Sequence, residues 1–227
     1  MSDPVRGRGE QQDGPRVRQL VLLRHGQTEY NATRRMQGQL DTELSELGRR
    51  QARAVAEVIA RFDPLAVVSS DLRRAYDTAT VLGDRAGLSV EIDARLRETH
   101  LGEWQGLTHL EVDALAPGAR SAWRADATWA PPGGENRVDV ARRSTAVVGE
   151  LLDKHENWAD RPIVLVAHGG LIAALTAALL DLPVERWPVL GGLGNTGWVQ
   201  LSGYGEVPSW RLDVWNASAT VAPDDVL

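Results

Sequence analysis

The chain has 227 residues, 43% hydrophobic and 25% charged, which suits one soluble domain with a sizeable core and is short for two. It contains no cysteine, so disulfides and thiolate metal sites are excluded. The formal net charge of −6 argues against broad binding to nucleic acid or an anionic membrane, while leaving room for a local basic pocket that takes a small anion.

The chain opens on "MSDPVRGRGEQQDGPR", which lacks the apolar segment of a signal peptide. Its Gly, Pro and Gln content predicts a disordered lead-in over residues 1–17, with the domain over 18–227 and a cytoplasmic setting. Gln19–Arg24 reads as the first strand. The run from Asp41 to Phe62 reads as a helix that Ser45 or Thr42 can cap, with Leu47, Val55, Val58, Ile59 and Phe62 near one face. Leu65–Asp71 is a second short apolar run. Leu72–Gly87 reads as a helix with Ala75, Ala79, Leu82 and Ala86 on one stripe and Gly87 as its stop. Ser89–Ala94 is a third strand, and a loop-rich region bearing Trp104, Trp123 and Trp129 follows.

A helix is expected at about Val138–His155, with Val140, Ser144, Val147 and Leu151 sharing a face. The longest apolar region, Pro162–Leu182, is interrupted by His168, Gly169 and Gly170. It reads as a strand, a turn and a buried helix rather than a membrane span. Strands at Thr196–Leu201 and Ser209–Asn216 complete the pattern. Strands alternating with helices imply a single α/β domain, a largely parallel sheet covered on both faces.

In open sheets of this kind, ligands bind outside the C-terminal strand ends. Three polar clusters stand at such ends: Arg24–His25–Gly26, the "SSDLRRA" run with Arg73 and Arg74, and His168–Gly169–Gly170. Together they would supply two histidines, at least two arginines and two helix N-termini, which suits a phosphate. Lys154 is the only lysine, so arginine as a residue type carries no signal here; position carries it. Neighbours on a helix point about 100° apart, so only one of Arg73 and Arg74 should face the site.

The motifs "LRHGQTEYN", "SSDLRRAYDTA", "LRETHLGEWQGLT", "PPGGE" and "VAHGG", in this order and spacing, resemble the histidine phosphatase superfamily, the phosphoglycerate mutase-like proteins. The resemblance spans roughly Leu20–Leu201. It implies a three-layer sandwich with a mostly parallel central sheet, no cofactor and no metal. It implies His25 as a nucleophile that must be neutral, and neighbouring Arg24 and Arg74 disfavour its protonation. Arg24, Arg74 and His168 would clamp the phosphoryl oxygens, with Asn31 and Gln37 assisting. Glu98 would be the general acid, with Glu103 next in line, and His168 the second catalytic histidine.

The partner implied is a small phosphorylated metabolite, and the resemblance also admits a homodimer. Within the superfamily, "RLRETHLGEWQGLTHLE", "DATWAPPGGEN" and "RLDVWNAS" look most like a group of phosphatases that act on a glycosylated 3-phosphoglycerate. A phosphoglycerate mutase is the alternative, and a non-catalytic phosphate-binding scaffold the least favoured. The region after Glu98 offers few cations for a second phosphate. The three central tryptophans read as packing first and as a sugar-stacking surface second.

Overall fold

A computed structural model describes residues 17–156 and 158–219. The expected lead-in falls on residues 1–16, outside the described residues. Val17, placed with that lead-in by sequence, instead opens the first strand, because it pairs with Tyr204 across the sheet.

In chain order the elements are β1 (Val17–Arg24), α1 (Glu29–Ala32), α2 (Glu46–Ile59), β2 (Ala66–Ser69), α3 (Arg73–Ala86), β3 (Val90–Ile92), α4 (His109–Leu115), α5 (Ala119–Ala125), α6 (Arg137–Lys154), β4 (Ile163–Ala167), α7 (Gly169–Leu179), β5 (Trp198–Tyr204) and β6 (Ser209–Ala217). The six strands form one sheet in the order β3-β2-β4-β1-β5-β6. β1, β4, β2 and β3 pair in parallel, and β5 runs antiparallel to both β1 and β6.

The two central strands are buried on both faces, which is why they read as unbroken aliphatic runs. Successive side chains alternate. Leu20, Leu22, Ile163 and Leu165 pack with Val147, Val148, Leu171, Ile172 and Leu175 of α6 and α7. Val21, Leu23, Val164 and Val166 pack with Val55, Ile59, Ala75, Ala79 and Leu82 of α2 and α3. The result is the expected three-layer sandwich.

Ser45, not Thr42, caps α2, accepting from the Gly48 amide at 3.0 Å. The face of α2 is rotated from the expected one: Gly48, Ala52, Val55, Ala56 and Ile59 are buried, and Leu47 is 39% exposed. The cause is a backbone contact. A Cβ on Gly48 would lie 2.0 Å from the Gln27 carbonyl oxygen, so the helix is seated by its glycine on the loop after β1.

The region expected to be loop-rich holds two short helices, α4 and α5. Val112 of α4 forms a separate small core with Met36, Leu101 and Trp104, against which Trp123 of α5 and Trp129 pack. Trp104 is buried and meets Trp123 edge-on at 5.9 Å and Trp129 at 5.4 Å. The packing reading thus accounts for Trp104, while Trp123 and Trp129 remain partly exposed at the edge of the cluster. No helix among the described residues is long and apolar enough to cross a membrane.

Candidate active site

The β1–β4 register pairs Arg24 with Ala167, so the next residues, His25 and His168, emerge side by side at the C-terminal edge of the sheet. Their rings lie 5.1 Å apart, and both residues are buried. The β2–β4 register pairs Ser69 with Val166, which brings Ser70 alongside.

His25 Nδ1 lies 2.7 Å from the Gly26 carbonyl oxygen. A carbonyl only accepts, so Nδ1 carries the hydrogen and Nε2 keeps a lone pair. That Nε2 accepts from Arg74 Nε at 3.3 Å. Burial, then the Arg74 and Arg24 charges, push the His25 pKa well below the ordinary histidine value.

Arg74, at the start of α3, is fully buried. Its terminal nitrogens donate to the Leu40 and Gly38 carbonyls, both at 2.8 Å. No carboxylate oxygen of a described residue lies within 4.0 Å of it. Burial pulls its pKa down to about 10, against the favourable charges of Glu98 and Asp41, so it remains a cation at neutral pH. Arg73, its neighbour, is on the surface and pairs with Glu43 at 2.8 Å, as the helical spacing requires. Arg24 Nη1 donates to the Leu193 carbonyl.

His168 Nε2 contacts Ser70 Oγ at 2.9 Å, and its buried Nδ1 has no partner among the described residues. Burial first, then Arg74, His25, Arg24 and Arg143, push its pKa well below the ordinary value. Part of each helix N-terminus is already engaged. The Arg73 amide of α3 donates to Asp41 at 2.8 Å, and the Gly170 and Leu171 amides of α7 each donate to Glu98 at 3.0 Å. At these amides the anions held are side-chain carboxylates.

Glu98 also accepts from the Thr99 amide at 2.8 Å. The segment carrying it is clamped from α6 by a half-buried Arg143–Glu135 pair at 3.0 Å. Arg143 donates to the Glu98 carbonyl at 3.0 Å, Gln39 to the same carbonyl at 3.1 Å, and Glu135 accepts from the His100 amide at 2.8 Å. Glu103 is exposed, whereas Glu98 is partly buried.

Asn31 and Gln37 share one pattern. Asn31 Oδ1 accepts from the Thr28 amide at 3.1 Å and from Asn195 at 3.2 Å. Gln37 Oε1 lies 2.9 Å from the Thr28 hydroxyl and 2.7 Å from that of Thr42. Their oxygens are occupied, and their NH2 groups have no partner among the described residues. An anion site needs donors, and donors are what both amides have left. Asn195, which also donates to the His25 carbonyl at 3.2 Å, Ser70, Glu135 and Arg143 are contributors that sequence reasoning missed. "PPGGE" was the visible signal for Glu135; the other three had none.

Two neutral imidazoles set among guanidiniums at the C-terminal edge of a mostly parallel sheet are the arrangement of an α/β enzyme that handles phosphoryl groups. The chain belongs to the histidine phosphatase superfamily (branch 1), whose match covers residues 20–218. It is 68% identical over 222 residues to glucosyl-3-phosphoglycerate phosphatase of Mycolicibacterium vanbaalenii, an alignment covering 92% of this chain and 99% of that protein. Solved structures agree. The mycobacterial glucosyl-3-phosphoglycerate phosphatase complexed with VO3 has a TM-score of 0.87 at 68% identity, over 88% of this chain and 100% of that one. The mycobacterial enzyme with inorganic phosphate gives 0.85 at 67%, over 90% and 100%.

Proposed function

We propose that the protein is a phosphomonoesterase that hydrolyses glucosyl-3-phosphoglycerate to glucosylglycerate and phosphate through a phosphohistidine, without a metal. The observation that carries this reading is the Nε2 lone pair of a buried, neutral His25 held against a buried Arg74 that has no carboxylate partner among the described residues. A fixed cation in a dry site favours a phosphate dianion and its transition state. The likeness to phosphatases of glucosyl-3-phosphoglycerate supports the choice of substrate.

The phosphoryl group sits among Arg24, Arg74 and His168, with Asn31 and Gln37 donating at its edge. His25 Nε2 forms an N–P bond as the P–O bond to the leaving group breaks. Glu98 gives that oxygen a proton; Oε2, with one amide donor, keeps a second lone pair to carry it. Glu98 then takes a proton from water, water attacks phosphorus, and the N–P bond breaks to restore His25. Burial and the nearby Arg74 and Arg24 disfavour protonation of His168, so in this reading it contributes as a neutral group. A cytoplasmic setting and a homodimer belong to the same proposal on the strength of the resemblance.

The test is phosphate release in EDTA over glucosyl-3-phosphoglycerate, free 3-phosphoglycerate and simple sugar phosphates. Glucosyl-3-phosphoglycerate should give the highest kcat/KM. A higher value for another ester would overturn the substrate. Conversion of 3-phosphoglycerate to its 2-isomer faster than phosphate appears would replace hydrolysis by mutase activity.

A further inference from the structure

Ser70 is fully buried and lies outside the family motif positions given a role above. Its hydroxyl oxygen accepts from the Leu72 amide at 3.3 Å and lies 2.9 Å from His168 Nε2. Its backbone is already engaged: the amide donates to the Val166 carbonyl at 3.0 Å, and the carbonyl accepts from Ser69 Oγ at 2.8 Å. Among the described residues, the one acceptor for the Ser70 hydroxyl hydrogen is therefore His168 Nε2. Were Nε2 protonated instead, the hydroxyl would accept twice and its own hydrogen would be buried unpaired, which native interiors avoid. A hydrogen donated to Nε2 forces the imidazole proton onto Nδ1.

We propose that Ser70 is a positioning residue that fixes His168 as the Nδ1–H tautomer, so that a neutral imidazole donates a hydrogen bond to a phosphoryl oxygen. The proposal rests on the phosphatase reading for the identity of the bound group. Two further observations agree with it. Nδ1 is buried with no partner among the described residues, as a donor kept for a ligand would be. The ring stands 5.1 Å from that of His25, whose tautomer is fixed by a different device, a backbone carbonyl. Both rings then carry hydrogen on Nδ1, with Nε2 accepting from the Arg74 guanidinium in His25 and from the Ser70 hydroxyl in His168. His25 uses its lone pair, and His168 uses its N–H.

The experiment is 15N NMR of the full chain with labelled histidines, with and without inorganic phosphate, in the wild type, Ser70→Ala and Ser70→Thr. His168→Gln assigns the resonances. In the wild type, His168 should show a pyrrole-like Nδ1 and a pyridine-like Nε2, and phosphate should shift the Nδ1–H proton downfield. Ser70→Ala should release the tautomer and weaken phosphate binding and kcat/KM by roughly tenfold, about one hydrogen bond. Ser70→Thr should restore both.

A pyrrole-like Nε2 in the wild type would overturn the proposal. So would an unchanged tautomer in Ser70→Ala, even if activity fell, because a merely structural role predicts that result. Loss of the phosphatase reading would show separately, as absence of phosphate release while the tautomer stands.

Discussion

His25 and His168 are neighbours of one residue type, yet their contacts separate them: one ring faces a carbonyl and a guanidinium, the other a hydroxyl. Both are held neutral by burial and by nearby arginines. Glu98 completes the set, so Glu98→Gln should bind phosphate normally and lose roughly 10²–10⁴-fold in kcat. The loss should shrink for p-nitrophenyl phosphate, whose leaving oxygen needs little protonation. Steady-state kinetics on both esters decide it, and equal losses would point to a different acid. Arg24, His25 and His168 were legible in the sequence because polar residues at the ends of aliphatic runs stand out; Arg74 was separated from Arg73 by the family resemblance. Ser70 and Asn195 were not. A buried serine or asparagine acquires its role from side chains far away in sequence, and only the strand register brings them together.

At the level of elements, the α7 N-terminus orients the Glu98 carboxylate through the Gly170 and Leu171 amides. Gly170 is what permits that approach: a Cβ there would lie 2.6 Å from Glu98 Oε1 and 3.0 Å from Thr99 Oγ1. Gly170→Ala should therefore displace the carboxylate and cut kcat by up to about 10²-fold, as an ångström of misplacement can. The thermal midpoint should hold, since alanine is the better helix former. Wild-type kcat in that variant would contradict the orienting role. The sequence shows "VAHGG" as a turn into a helix, and it shows helix N-termini as sites for anions. It does not show which anion arrives, because Glu98 and Asp41 come from other segments. The same reason hides α4 and α5, whose short amphipathic turns are settled by packing around three tryptophans rather than by periodicity.

On the scale of the whole molecule, the three layers bury both imidazoles completely, and this couples the site to stability. Above about pH 6.5 the native and unfolded chains bind the same protons at these positions. Below it the unfolded imidazoles take up protons that the native ones refuse, their native pKa values being depressed. Stability is thus fully present above the unfolded value and falls as the pH drops. The slope is up to about 1.4 kcal/mol per pH unit for each histidine. Urea midpoints at about pH 7.5 and about pH 5.5 should reveal it, and a His25→Gln, His168→Gln protein should lose most of that difference. An identical pH dependence in the double variant would contradict the buried neutral pair. The sandwich itself was legible, because two strands covered on both faces must be aliphatic throughout. The rotated face of α2 was not, since a glycine contact rather than the apolar stripe seats that helix.

In the proposed mechanism all of these features serve one covalent event, phosphorylation of His25. The direct measurement is rapid quench of the enzyme with labelled substrate, followed by peptide mapping in alkali. A phosphoramidate on His25, labile to acid and comparatively stable to base, is the expected result, with both label and turnover absent from His25→Ala. Label on His168, or full turnover in His25→Ala, would contradict the account.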